Sequence, residues 1–485
     1  MLFSNPRAAE ACKSYIASVE RQKQQADISD WIALTSLGWE SFTTPQSHSS
    51  LPMLYAVTYP EGWHATATTF WRLTGLGISS RLSEECLERV ETLRKMESMP
   101  RCLSSNDTEV YFILQSRIAS LIERAPITDR PRKVAGEDVY LYQSGMAAIY
   151  NIHQMLLRWR GAESAIVGFP YELTIKMLET YGPGYTFYSA GTDADIDQFE
   201  AHLEKLASCG QKLQAVWCEC PSNPLLRTVD LDRIRRLATK FDFVVVVDDT
   251  IGSFANVDVL DIADIVVTSL TKSFNGFADV LAGSLILNPN SPHHQTFHTL
   301  LHQPPHKTSN TNTNLYLLDA LHLEINSRDY LTRSSILNTT AEYLVDSLVP
   351  HASNSNNPTS VLSAIYYPKL CRSRSNYARR MRPATPDDGF IPGYGYLFTL
   401  EFVSVATATA FLDRLGVHKG PSIGAHVTLA LPYVQMVLQR EKEWAEGHGL
   451  RETIVRVSVG LEDKEALVEG FRVGLEEAER VGKGV

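Results

Sequence analysis

The chain has 485 residues, with 45 Lys and Arg against 55 Asp and Glu, a formal net charge of −10. It is 44% hydrophobic and 21% charged, an ordinary globular balance that excludes a disordered chain, a collagen-like fibre and a coiled-coil rod. The net acidity argues against nucleic acid as a partner, and no apolar run approaches the roughly 20 residues that span a bilayer.

The opening Met-Leu-Phe-Ser-Asn-Pro-Arg lacks the charged-then-apolar layout of a signal peptide, so a soluble, cytoplasmic protein is expected. At roughly 100–200 residues per domain, the length predicts two to four structural units. Residues 1–135 read as an N-terminal arm and helical segment. They hold Trp31, Trp39, Trp63 and Trp71 and an amphipathic stretch, Ser83 to Glu97, that predicts a helix capped by Ser83. From Gly136 the pattern is legible. Strands are predicted at Val139–Tyr142, Ala165–Phe169, Tyr185–Ser189, Leu213–Cys218, Phe243–Val247, Ile265–Ser269 and Gly283–Leu287. Helices are predicted from Ser144 through Arg160 and at Leu173–Tyr181, Asp195–Ala207 and Leu231–Lys240. Val/Ile runs alternating with helices predict an α/β domain over 136–305, with a mostly parallel sheet covered on both faces. Asn- and Ser-rich loops at Thr308–Asn314 and Ser353–Asn357 punctuate a smaller α+β unit over 306–485. Its strands are expected at Ser363–Tyr367 and Gly395–Phe402 and its final helix at Glu465–Glu479. The seven scattered cysteines do not form a disulfide framework.

In an open parallel sheet, ligands sit beyond the carboxyl ends of the strands. The residues that fall there are Ser144-Gly145-Met146, Glu219-Cys-Pro-Ser-Asn223-Pro224, Asp248-Asp249-Thr250 and Ser269-Leu-Thr271-Lys272. A carboxylate, an amide, a lysine and a glycine at a helix start thus converge on one rim. This set suits a phosphorylated pyridine aldehyde. A lysine can bond the aldehyde carbon, a carboxylate can keep the ring nitrogen protonated, and helix N-terminal amides suit the phosphate.

The same residues carry a resemblance. Ser269-Leu-Thr-Lys-Ser-Phe-Asn-Gly-Phe-Ala-Asp-Val-Leu-Ala-Gly283 resembles the lysine motif of the Cys/Met-metabolism PLP-dependent enzymes. Ser144–Ala148, Glu219–Pro224, Val245–Thr250, Ser422-Ile-Gly424 and Arg456–Gly460 resemble further blocks of that family in its order. The fit runs from about Gly136 to the C-terminus and is most similar to fungal cystathionine γ-synthase-like proteins.

The resemblance implies a fold type I, PLP-dependent aminotransferase-like α/β fold, with 136–305 as the pyridoxal 5′-phosphate-binding domain. Lys272 would carry the cofactor and then shuttle protons, and Asp248 would pair with the pyridine nitrogen. Tyr171 would stack on the ring and assist acid–base steps. Gly145 and Met146, with Ser269 and Thr271, would hold the phosphate. Asn223 would lie near the cofactor hydroxyl and the substrate carboxylate, Arg456 would grip that carboxylate, and Ser422 would lie by the lysine. Relatives carry a Tyr-x-Arg element on an N-terminal arm that reaches a neighbouring subunit's phosphate. Here Ser79-Ser80-Arg81 keeps only Arg81. The resemblance also implies a homodimer or homotetramer.

Two further signals have bland readings. His294, His298 and His302, with His293 and His306 nearby, suggest a polar helix face rather than a metal site. Lys369 to Arg382, with six basic residues, reads as a solvated loop face. The function expected is γ-replacement on an activated homoserine ester such as O-acetylhomoserine. The acceptor would be a sulfur nucleophile or, in a specialised pathway, a carbon nucleophile. Elimination from cystathionine-like thioethers and a catalytically silent binding paralogue are the alternatives.

Overall fold

The computed structural model describes residues 1–24, 29–39, 52–96, 109–302, 313–353, 357–385 and 389–484. Its N-terminal part is a four-stranded antiparallel sheet of β1 (Leu2–Phe3), β2 (Ala33–Trp39), β3 (Leu54–Thr58) and β4 (Leu93–Lys95), in the order β1-β3-β2-β4. Helices Pro6–Gln24 and His64–Thr74 pack beside it, with the Phe3 and Phe70 rings edge to face at 6.1 Å. The helix expected at Ser83–Glu97 is instead Ser80–Glu88. Its cap is Ser79, whose hydroxyl accepts the Leu82 N–H at 3.2 Å. This register buries Leu82 and Cys86 on one face. The chain then turns through Val90–Thr92 into β4, and Glu97 lies outside the described residues.

The central sheet has seven strands: β5 (Val139–Tyr142), β6 (Ser164–Val167), β7 (Tyr185–Tyr188), β8 (Ala215–Glu219), β9 (Val244–Asp248), β10 (Ile265–Thr268) and β11 (Gly283–Leu287). Their order is β5-β11-β10-β9-β8-β6-β7, and β11 alone runs antiparallel to its neighbours. Side chains alternate across a strand, so two cores form. Val216, Val245, Val247 and Ile286 join one, beneath helices such as Glu109–Ile122 and Leu231–Phe241. Trp217, Val244, Val246 and Leu285 join the other, which continues through helix Gly145–Trp159 into Phe3, Ile16 and Phe70 of the N-terminal part. Continuous Val/Ile runs are what a strand buried on both faces requires.

The C-terminal part carries β12 (Leu362–Tyr366), β13 (Leu397–Phe402), β14 (His418–Lys419), β15 (Leu429–Pro432) and β16 (Ile454–Ser458), ordered β12-β13-β16-β15-β14. Helices Val405–Arg414 and Lys464–Gly482 cover it around Phe398, Phe411 and Phe471.

The basic stretch Lys369–Arg382 is a solvated face only in part, at the exposed Arg372, Arg374 and Arg379. Arg380 and Arg382 are 5% and 3% exposed. Arg380 bonds Asp261 at 2.7 Å and Asp232 at 3.0 Å, while Arg382 donates to the carbonyls of Ile122 and Arg124. A buried guanidinium persists only where carboxylates and carbonyls replace its water. This segment fastens the C-terminal chain to the central domain.

His294 bonds Asp138 at 2.7 Å, and the His298 and His302 rings stack at 4.1 Å. Among the described residues no group of three or more His, Cys, Asp or Glu is arranged to hold a metal. His306, Cys102 and residues 308–312 and 354–356 of the polar loops lie outside those residues. No helix among them is long and apolar enough to cross a membrane.

Candidate active site

Strands β5, β6, β8, β9 and β10 share one direction, so the segments that follow them meet at one rim. A cavity of about 920 Å³ opens there. From the sheet it is lined by Ser144, Gly145, Met146, Tyr171, Glu219, Asn223, Asp248, Ser269, Thr271 and Lys272. From the C-terminal part it takes Pro421 to Ile423, Tyr433, Met436 to Glu441 and Arg456. The structure therefore gathers ten of the eleven residues expected in the site: Lys272, Tyr171, Gly145, Met146, Asn223, Asp248, Ser269, Thr271, Ser422 and Arg456. Arg81 does not line this cavity within its own chain. It pairs with Asp319, 2% exposed at its side chain, and donates to the Asp279 carbonyl.

The walls differ in character. At the helix Gly145–Trp159 the Ser144 hydroxyl caps the Ala147 N–H at 3.0 Å and the Ser144 carbonyl accepts from Ala148. That leaves the Gly145 and Met146 N–H groups without an intrahelical acceptor. A Cβ at position 145 would come 2.8 Å from Ser269 Cβ and 2.9 Å from its Oγ, so glycine keeps this cleft open. The Ser269 N–H is held by Thr250 Oγ1 at 2.8 Å, leaving its hydroxyl facing the cleft. Thr271 is engaged differently. Its hydroxyl donates to the Ala282 carbonyl at 3.1 Å and accepts the Ala282 N–H at 3.0 Å, closing the loop that presents Lys272.

Burial, and after it the Arg456 charge, lower the Lys272 pKa to about 8, with Glu172 opposing. Asp248 is raised by burial to about 6, against hydrogen bonds from Thr250, whose N–H reaches Oδ1 at 2.9 Å. Glu219 is held well above the usual carboxylate range by burial and then by Asp248, and it accepts the Tyr171 N–H at 2.6 Å. Tyr171 is 36% exposed rather than core-packed. Arg456 is 5% exposed. It donates to Asn223 Oδ1 at 3.1 Å and to the Pro421 carbonyl, and its guanidinium lies 5.0 Å from the Tyr433 ring centroid. A surface role for Arg456 would pair it with Glu462 or Asp463, but Glu462 accepts from Thr428 and Asp463 caps the Ala466 N–H.

Among the lining residues that the sequence does not single out are Glu172 and Arg72. Glu172 is 5% exposed, accepts from the Tyr433 hydroxyl at 3.3 Å, and has its pKa raised by burial. The available signal was an acid directly after the aromatic at a strand-to-helix turn. Arg72, from helix His64–Thr74, reaches the cavity from the N-terminal part, and no local pattern marks it.

The model of the Cys/Met metabolism PLP-dependent enzymes matches residues 132–476, and that of the fungal trans-sulfuration enzyme N-terminal domain matches residues 1–79. A cystathionine gamma-synthase of Neurospora crassa is 39% identical over 99% of this chain and 86% of its own length. An alanine racemase, ungC, of Aspergillus violaceofuscus is 42% identical over 99% of the chain and 85% of its length. Among solved structures, the cystathionine gamma synthase of Xanthomonas oryzae pv. oryzae superposes with a TM-score of 0.61 at 21% identity, covering 79% of this chain and 90% of that one. The chain belongs to the Cys/Met-metabolism family of PLP-dependent enzymes, with a cystathionine γ-synthase-like fold type I architecture. Its cofactor is pyridoxal 5′-phosphate, and the cleft at Gly145, the Asp248 carboxylate and Lys272 fit that molecule's phosphate, ring nitrogen and aldehyde.

Proposed function

We propose that this enzyme carries out γ-replacement on an activated homoserine ester such as O-acetylhomoserine, joining its four-carbon chain to a sulfur nucleophile or, in a specialised pathway, a carbon nucleophile. The observation that carries the reading is the pairing, in one cavity, of a lysine whose pKa is near 8 with a buried arginine that has only neutral hydrogen-bond partners. Arg456 presents a planar fork suited to an α-carboxylate, with Asn223 steadying it. Gripped there, the substrate presents Cα and Cβ to Lys272, whose neutral amine takes a proton from each in turn, so that the Cγ–O bond breaks and acetate leaves; the nucleophile bonds Cγ in its place, giving up its own proton, and protons return to Cβ and Cα. When bound, PLP supplies the electron sink for the negative charge that develops on the substrate. Asp248 would keep the ring nitrogen protonated, Tyr171 would flank the ring, and Gly145, Met146 and Ser269 would hold the phosphate. The Neurospora relative named as a cystathionine gamma-synthase supports this reading.

A second reading, racemisation at Cα, is favoured by the 42% identical relative named an alanine racemase. It needs only the Cα proton transfer, with the return proton delivered to the opposite face, where Tyr171 is the candidate donor. One experiment separates the two. The enzyme is incubated in deuterated water with O-acetylhomoserine plus cysteine, sulfide or a β-keto acid, and separately with L-alanine, using Lys272→Ala as blank. A Lys272-dependent adduct supports replacement. Deuterated D-alanine without adduct supports racemisation, and 2-oxobutyrate with ammonia points to elimination.

A further inference from the structure

Exchanging acetate for an acceptor releases one proton that Lys272, occupied with Cα and Cβ, does not handle. A thiol is mostly protonated at neutral pH, so its hydrogen must pass to a base as the bond to Cγ forms. The described lining of the cavity holds no histidine or cysteine, but it holds four carboxylates: Glu172, Glu219, Asp248 and Glu441. Three are engaged. Glu219 accepts the backbone N–H groups of Tyr171 and Asn223, Glu441 pairs with Lys176 at 2.9 Å, and Asp248 is assigned to the ring nitrogen.

Glu172 stands apart. It is 5% exposed and makes no ion pair among the described residues. Its carboxylate accepts the Tyr433 hydroxyl at 3.3 Å and its own backbone N–H. A buried carboxylate held so lightly is costly. An acid in the first turn of helix Glu172–Tyr181 also complements the helix dipole, but an exposed side chain serves that purpose, and this one turns into the cavity. Tyr433 links it to the carboxylate grip, with its ring centroid 5.0 Å from the Arg456 guanidinium. The Glu172 charge is felt at both Lys272 and Arg456, so a substrate held between those two residues is flanked by Glu172. The groups facing it are Lys272, Arg456, Lys176, Glu219 and the phenols of Tyr171 and Tyr433. Burial holds both phenols above their ordinary range, so they keep their protons. Burial also makes Glu172 a stronger base than a surface glutamate, with Arg456, Lys176 and Tyr433 opposing.

We infer that, in the γ-replacement proposed above, on which this inference rests, Glu172 is the general base of the acceptor step. Its carboxylate takes the S–H or C–H proton of the acceptor while the electron pair of that bond becomes the new bond to Cγ. It then passes the proton to water as the product leaves. Nothing is oxidised or reduced.

The test reads a branch point beyond the proton transfers of Lys272. Once acetate has left O-acetylhomoserine, the four-carbon unit either takes cysteine or is released as 2-oxobutyrate and ammonia. The ratio of adduct to 2-oxobutyrate is measured by mass spectrometry in the full-length, PLP-loaded enzyme. Because it is taken within each variant, a general loss of active protein cancels. In Glu172→Gln the ratio is expected to fall roughly 10²–10⁴-fold at neutral pH, the usual contribution of a positioned base. It should recover as pH rises toward the thiol's own pKa of about 8.5, where the acceptor arrives already ionised. Glu172→Asp, which keeps a carboxylate, should restore part of the ratio. An unchanged ratio in Glu172→Gln would overturn the inference, and so would a loss of equal size at every pH, which would make Glu172 a structural residue. Both outcomes leave γ-replacement standing. A wild-type enzyme that forms no adduct with cysteine, sulfide or a β-keto acid would instead overturn γ-replacement itself, and the inference with it.

Discussion

Lys272 gives up its proton more readily than an ordinary lysine because water is scarce around it and a guanidinium shares its cavity. Only the neutral amine attacks an aldehyde, so the rate at which apo-enzyme captures PLP should rise with pH through a midpoint of about 8, followed by stopped-flow absorbance. Arg456→Met removes a repelling charge and should move that midpoint up by about one unit. Glu172→Gln removes an attracting one and should move it down. Midpoints that stay put in both variants would contradict this electrostatic account. In steady state, Arg456→Ala should weaken substrate binding by about 2–5 kcal/mol, read as a raised KM, and an unchanged KM would remove Arg456 from the carboxylate site. Asp248 supplies a second pH limit. Its carboxyl is raised to about 6, so it is ionised above that pH and able to pair with a protonated pyridine. As pH falls through about 6 the charge is lost, and cofactor affinity should fall with it. In Asp248→Asn that dependence should flatten. The residues that were legible in advance, such as Asp248 and Lys272, stand at strand ends where position alone implies chemistry. Glu172 and Arg72 sit inside helices, and only the packing of those helices brings them to the rim.

Among the elements, the strands with the plainest sequences were also the most readable. Val244–Val247 are buried on both faces, so an unbroken apolar run was enough. The N-terminal strands gave no such signal. Most of Ala33–Trp39 is only half-buried, and its partners lie far along the chain, at Leu54–Thr58 and Leu93–Lys95. The cap at Ser79 was misread because Ser79, Ser80 and Ser83 are equally competent caps, and the choice is made by which register buries Leu82 and Cys86. The basic run before Arg382 was misread for a related reason: the carboxylates that bury Arg380 come from Asp232 and Asp261, more than a hundred residues away. Gly75, the left-handed cap residue of helix His64–Thr74, accepts the Ser144 hydroxyl on its carbonyl, and this contact lends itself to a direct check. Gly75→Ala combines φ +62° with a Cβ 2.1 Å from Ser144 Oγ, and should cost about 1–3 kcal/mol in denaturant unfolding. Gly470→Ala, in the interior of helix Lys464–Gly482 with nothing within 4 Å of the new atom, should stabilise by about 0.4–1 kcal/mol. Equal effects at the two sites would remove the steric argument.

At the scale of the whole molecule, one core passes without interruption from Phe3 and Phe70 to the strand residues Val244 and Leu285. The N-terminal part is thus the covering layer of one sheet face as well as a wall of the cavity. The opposite wall has a different origin. Pro421 to Ile423 and Met436 to Glu441 belong to the C-terminal part, while every group suited to PLP, from Gly145 to Lys272, comes from the first three-fifths of the chain. Most of the groups suited to PLP and much of the wall facing them thus come from separate stretches of sequence, which meet where Arg456 bonds Asn223. Transplanting residues 421–441 from the Neurospora relative should therefore redirect which amino acid is consumed while PLP is held as tightly as before. A graft that lost its cofactor would show that the two stretches are not independent.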